Sequence, residues 1–388
     1  MPARFDPTPL QRAIDDAVAR QAIVGCVVQV SEHGGALHTA VAGLADREAG
    51  RAMRADTAFR LASLTKAVVC VTALALVEAG ALALDDPVSR WLAWFTPALA
   101  SGEAPAITPA ITIADLLTHR AGLGYAFGEP AGTGYDAAGI SDGLDASGLT
   151  LEDNMRRLAA QPLFEPPGTQ WRYSLAIDLL GLVLERATGQ PLARLVAERV
   201  TGPLGMADTH FVAPPDTALA VPYADGNPAP ARMAEAHTVP MGEGVIRYAP
   251  ARAFDAAAFT SGGTGLVGTA RDYARFLDAI AAEGGGVLSP AMARRFVTDC
   301  TGGVDIGMPG SGMGWGLGVA VMRDPGATGS PLSPGSWMWG GVYGHSYWVD
   351  PAAGVSVVSL TNTALAGMAG PFPEAVKCAV YAGLGQHR

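Results

Sequence analysis

Charge is scarce in this 388-residue chain: Asp, Glu, Lys and Arg together make up 16% of it. The balance is acidic, with 36 Asp and Glu against 26 Lys and Arg, a formal net charge of −10. There is no basic run. Contacts to a phosphate backbone need clustered Lys and Arg, so no nucleic-acid partner is expected, and no docking on an anionic membrane. Cysteine is also rare. Cys26, Cys70, Cys300 and Cys378 lie far apart and form no C-x-x-C, which predicts reduced, buried thiols rather than a disulfide frame. The histidines include no H-E-x-x-H, and His33 and His38 fall on opposite arms of a turn at Gly34-Gly35. No metal site is therefore expected, and no motif calls for a cofactor. The most apolar stretch, Ala67 to Leu84, carries Glu78 and Gly80; it falls short of a clean span of ~20 residues and reads as a buried core helix. Residues 1–21 hold no apolar leader-like region, so a cytoplasmic location is expected.

What the chain has in quantity is apolar residues, at 49%, together with 49 glycines and 28 prolines. That is enough to bury a large core. Thr8 can cap a first helix, with Pro9 at its first position and Leu10, Ile14 and Val18 as its stripe. Val24 to Val30 and Ala36 to Val41 read as a hairpin. A helical pattern then runs from Ser63 to about Ala79, stopped by Gly80. Capping boxes start helices at Thr112, Thr150 and Thr269, and Ser174 to Ala187 is an apolar helix closed by Gly189. Residues 121–148 read as a long irregular loop, and 207–263 show little periodicity. Trp315–Met322, Trp337–Gly341, Ser346–Asp350 and Val355–Thr361 read as consecutive strands, followed by a helix over about 373–382. Strands at both ends with helices between predict an α+β fold. One antiparallel sheet is built from both chain ends, with helices on both faces and a helical insertion.

Ser63-Leu64-Thr65-Lys66 is an S-x-x-K at the start of the core helix. Residues i and i+3 share a helical face, so Lys66 can lie beside the Ser63 hydroxyl. A helix N-terminus also suits a developing oxyanion. The bland alternative, a capping Ser63 and a surface Lys66, conflicts with the apolar run that follows. An amine there would be partly desolvated and able to act as a base. Tyr173-Ser174-Leu175 precedes another core helix, and Trp339-Gly340-Gly341 ends a strand where adjacent glycines permit close backbone approach.

Five segments in order resemble the serine β-lactamase and penicillin-binding-protein-like superfamily, and within it the family VIII carboxylesterases. They are Phe59 to Lys66, Leu116 to Leu123, Pro167 to Ser174, Ser261 to Leu266, and Trp339-Gly340-Gly341 with Val349-Asp350-Pro351. The resemblance implies a two-part fold, residues 1–75 with 176–388 forming the sheet domain and 76–175 a mainly helical domain, with the active site at their interface. It implies Ser63 as nucleophile and Lys66 and Tyr173 as the pair that takes its proton; which of the two is the base stays open. It implies an oxyanion hole from the backbone N–H groups of Ser63 and Val342, and a covalent acyl-enzyme on Ser63.

Two departures point to substrate. The superfamily usually carries Lys-Thr-Gly where Trp339-Gly340-Gly341 stands, and Tyr-x-Asn where Tyr173-Ser174-Leu175 stands. Losing the Lys and the Asn removes polar handles for peptides and β-lactams, so a short-chain, mostly neutral ester is the expected substrate, with a β-lactamase or D-amino peptidase/transpeptidase-like hydrolase of the same fold as the alternative. Trp339, Gly340, Gly341, Leu175 and Tyr125 are the candidate substrate-binding residues, although Tyr125 could equally be an exposed loop aromatic. Gly139-Ile140-Ser141-Asp142-Gly143 formally fits G-x-S-x-G, but it lacks the flanking strand and helix of a nucleophile elbow. His345 is expected to be structural.

Overall fold

Alternation along the strands explains the layering. In β1 (Gly25–Glu32), Val28 and Val30 point to one side and Val27 to the other; in β8 (Val355–Thr361), Val355 and Val357 oppose Val358 and Leu360. Both strands are buried on both faces, as central strands covered on both sides must be. The computed structural model describes residues 5–100, 110–307 and 312–385. Its main sheet has eight strands, all paired antiparallel. Besides β1 and β8 these are β2 (Gly35–Asp46), β3 (Arg51–Ala52), β4 (Met313–Trp315), β5 (Ala320–Met322), β6 (Trp337–Gly341) and β7 (His345–Asp350). The order is β4-β5-β6-β7-β8-β1-β2-β3, so the two chain ends meet at the β8–β1 pairing, where Val27 opposes Leu360.

The first helix α1 (Thr8–Ala19) and the C-terminal helix α5 (Pro371–Gly383) cover one face through Leu10, Ile14, Val376 and Val380. The other face carries α4 (Ala270–Ala281) and, beyond it, α2 (Thr65–Glu78), which is buried almost all round. Gly80, at φ +73°, ends α2 as expected: its N–H donates to Val77 O, and that of Ala81 to Leu76 O. Gly189 closes α3 (Ala176–Thr188) in the same left-handed conformation. A short pair, Ala58–Arg60 with Val267–Thr269, ties the entry to α2 to the Ser261–Leu266 segment; Leu61 N–H donates to Leu266 O at 2.8 Å.

Several expectations need correction. Thr8 does not cap α1 but is its first residue: Pro7 stands at the cap without a side-chain bond, and Thr8 N–H donates to Asp6 Oδ1. The run Trp315–Met322 is two strands, broken where Gly318 turns at φ +134° against Cys70. Cys26 and Cys70 are buried, but Cys300 is half-buried and Cys378 exposed; all four are free. Segment 76–175 holds short helices joined by loops, the longest described being Leu151–Ala159. Residues 207–263 contribute small strands, including the hairpin His237–Met241 with Gly244–Tyr248. Among the described residues no helix is long and apolar enough to cross a membrane.

Candidate active site

Ser63 sits in a single 3₁₀ turn, Ala62–Leu64, that leads straight into α2. Its side chain caps nothing, which removes the bland reading of the motif. Ala62 is held at φ +47°, an uncommon conformation for a residue with a side chain, and it aims the turn. One turn on, Lys66 Nζ donates to Ser63 Oγ at 3.2 Å and to Gly263 O at 2.8 Å. Lys66 is only 1% exposed. Its Nζ lies 4.8 Å from the Tyr173 ring centre and 5.3 Å from that of Tyr125. Aromatic faces and one carbonyl thus replace the water a lysine would otherwise hold.

Tyr173 is set among rings. Trp339, Tyr125 and His119 lie 5.0, 5.2 and 4.9 Å away between ring centres, and Trp315 backs Trp339 edge-on at 4.6 Å. Trp339 Nε1 donates to the Tyr173 hydroxyl at 3.1 Å. This bond joins residues 166 positions apart, and no local pattern in the sequence signals it. His119 is fully buried, holds Ser174 Oγ at 3.1 Å through Nδ1, and is kept neutral by burial, with Lys66 adding to the effect. Its place in the segment Leu116 to Leu123 was the available signal.

Strand β6 closes on the turn that carries Ser63 because Gly341 has no side chain. A Cβ there would lie 2.7 Å from Leu61 O and 3.1 Å from Leu64 Cδ1. Val342 follows in the β6–β7 turn, its carbonyl anchored by the Tyr248 hydroxyl at 2.8 Å. Ser63, Tyr125, Tyr173, Trp339, Gly340 and Val342 all line one cavity of about 280 Å³, otherwise walled mainly by Phe127, Leu144 and methionines 241, 313, 338 and 368. Tyr125 is therefore a buried pocket residue, not an exposed loop aromatic. Leu175 is not brought to the cavity; it is fully buried, its N–H donating to Gly124 O at 3.1 Å.

Two carboxylates near the site escaped the sequence reading. Asp178, on α3, is fully buried; its Oδ1 accepts from Ser261 Oγ at 2.6 Å and from Gly263 N–H at 3.3 Å. Burial raises its affinity for a proton despite Lys66, Ser261 and Gly263. Gly263 must be glycine, since a Cβ would fall 2.3 Å from Asp178 Oδ2. Asp142 lines the cavity, and burial pushes its carboxyl up to about 7. The elbow-like Ser141 points away into structure. Its hydroxyl binds Asp145 and accepts from Gly143 N–H, while its backbone is clamped by both ends of the Asn154 amide. His345 is structural as expected: Nε2 meets Arg60 O at 2.7 Å, and burial pushes the imidazole down to about 4.

An S-x-x-K serine at the mouth of a core helix, a facing tyrosine and a glycine-edged strand in one cavity define a serine hydrolase site of penicillin-binding type. The β-lactamase family profile matches residues 10–372, and the chain belongs to that family. Esterase EstB from Burkholderia gladioli is 50% identical over 378 residues, covering 96% of this chain and 94% of that one. The solved structure of EstCE1, described as a hydrolase with promiscuous acyltransferase activity, superposes with a TM-score of 0.92 at 41% identity, covering 96% and 98% of the two chains. Simvastatin synthase LovD from Aspergillus terreus shares the fold, with a TM-score of 0.75 at 23% identity and coverage of 98% and 100%.

Proposed function

We propose that this protein is a serine carboxylesterase that hydrolyses short-chain, mostly neutral esters through an acyl-enzyme on Ser63. The observation that carries the reading is the Ser63 hydroxyl, 3.2 Å from Lys66 Nζ, opening into an apolar cavity of about 280 Å³. Similarity to EstB and EstCE1 over nearly the whole chain supports the reaction class.

Ser63 Oγ attacks the ester carbonyl, and its proton passes to the Lys66–Tyr173 pair. The backbone N–H groups of Ser63 and Val342 hold the oxyanion in this reading, which the close approach of Gly341 to Leu61 supports. The pair returns the proton to the leaving alcohol. A water then repeats the attack on the acyl carbon and Ser63 is released. Trp339 supplies an apolar wall where the superfamily carries a cation, and through Nε1 it also steadies the Tyr173 hydroxyl. The cavity takes residues from both parts of the chain, Ser63 and Trp339 from 1–75 and 176–388, Tyr125 and Tyr173 from 76–175, which supports a site at a two-part junction.

Labelling with a fluorophosphonate tests the reading directly. Wild type should be labelled and should turn over p-nitrophenyl butyrate, with chromogenic cephalosporin hydrolysis far slower. Ser63→Ala should do neither. Labelling that survives in Ser63→Ala would overturn it.

A further inference from the structure

Four aromatic residues form an unbroken wall of this cavity: Phe127, Tyr125, Tyr173 and Trp339. Successive ring centres are 4.9, 5.2 and 5.0 Å apart, and the first pair is stacked at 16°. Asp142 opens into the same space. Its carboxylate has no ion pair within 4 Å among the described residues; Oδ1 accepts only a long bond, 3.4 Å, from Ala126 N–H. The other charged side chains that line the cavity, Glu374 and Lys377, neutralise each other at 2.7 Å. Lys66 is not among the side chains lining the cavity; its Nζ donates to Ser63 Oγ and Gly263 O. When ionised, the Asp142 carboxylate is the unpaired charge that lines the cavity, beside several π faces.

A carboxylate with aromatic faces suits a cation that is weakly hydrated and too bulky for tight hydrogen bonds, such as an alkylammonium. A carboxylate-bearing ester would be repelled by the same group. We propose that Asp142 and the Phe127–Tyr125–Tyr173–Trp339 wall form a cation subsite, so that among esters of equal size the protein favours those carrying an alkylammonium group. This rests on the esterase reading and adds a substrate class to it. Burial raises the Asp142 carboxyl to about 7, and the charged groups that bear on it are Asp145 on its own loop, Asp178 on α3 and Lys66 on α2. The preference therefore belongs to the alkaline side of neutrality and fades as the carboxyl takes up a proton.

The test compares butyrylcholine with its neutral carbon isostere, 3,3-dimethylbutyl butyrate, by acid release at pH 8.5 and 5.5. The ratio of kcat/KM should favour the choline ester about tenfold at pH 8.5 and less than about threefold at pH 5.5. In Asp142→Asn the ratio should be near one at both. The ratio compares two substrates on one protein, so a general loss of activity does not move it. Should the variant fail to fold, inhibition of wild-type p-nitrophenyl butyrate turnover by tetramethylammonium against neopentanol gives the same comparison. A ratio near one in wild type, or one unchanged in Asp142→Asn, overturns the subsite. Neither ester turned over by protein that still labels at Ser63 also overturns it, while leaving the esterase reading intact. Loss of both labelling and p-nitrophenyl butyrate turnover would strike the esterase reading itself.

Discussion

Replacing Trp339 with Phe removes one hydrogen-bond donor and keeps an aromatic ring in the wall. In the structure Nε1 gives its proton to the Tyr173 hydroxyl at 3.1 Å, and the indole packs edge-on against Trp315 at 4.6 Å. A bond between neutral groups is worth roughly 0.5–1.5 kcal/mol and one to a charged acceptor roughly 1.5–3. If Tyr173 gains negative character while the proton leaves Ser63, the bond strengthens between ground state and transition state by about 1–2 kcal/mol. At 1.36 kcal/mol per decade, kcat should fall roughly 5- to 30-fold with KM little changed. The assay is p-nitrophenyl butyrate turnover, with Tyr173→Phe and the double variant alongside and the thermal midpoint as a control. Because Trp339 acts through Tyr173, the double variant should lose no more than Tyr173→Phe alone. A kcat within about twofold of wild type, or losses that multiply in the double variant, would refute the reasoning and leave Trp339 as a packing residue.

Lys66→Ala and Tyr173→Phe should each cost about 10²–10⁴ in kcat, and together little more than either alone if they act as one unit; additive losses would separate their roles. Ser141→Ala should leave ester turnover within about threefold while lowering stability by about 1–3 kcal/mol in denaturant melts, because it strips hydrogen bonds from a buried clamp; a loss matching Ser63→Ala would move the nucleophile. Trp339→Lys should weaken turnover of a neutral butyrate ester and improve the relative kcat/KM for a monoanionic succinate ester; an unchanged ratio with a lower thermal midpoint would reject the pocket role. Burial lowers the His345 imidazole to about 4 from an unfolded value near 6.5, so the unfolded chain binds more protons in that window and the stability His345 allows falls as pH drops through it. The stability advantage of wild type over His345→Gln should accordingly narrow between pH 7.5 and 5, by up to about 1.4 kcal/mol per unit, and a constant gap would show that His345 is not held neutral.

Much of this protein was readable from short-range pattern. The i, i+3 spacing of Ser63 and Lys66 puts both on one face of the chain entering α2, within reach of each other. The runs Val24–Val30 and Val355–Thr361 read as strands, the Thr112–Asp115 box starts its helix with both reciprocal bonds, and Gly80 and Gly189 end theirs in the left-handed conformation only glycine adopts freely. Each of these depends on contacts a few residues apart, so the local sequence suffices. Other features waited for tertiary structure. The bond from Trp339 to Tyr173 and the meeting of Asp178 with Ser261 and Gly263 join segments more than eighty residues apart, through sheet register and glycine-dependent close approach, and the entry of Asp142 into the cavity depends on how its irregular loop folds. The same reason accounts for Leu175, which the motif put at the site. Its backbone is held by Gly124 and its side chain turns into the core beneath α3, so the position beside Tyr173 in sequence is not beside it in the pocket.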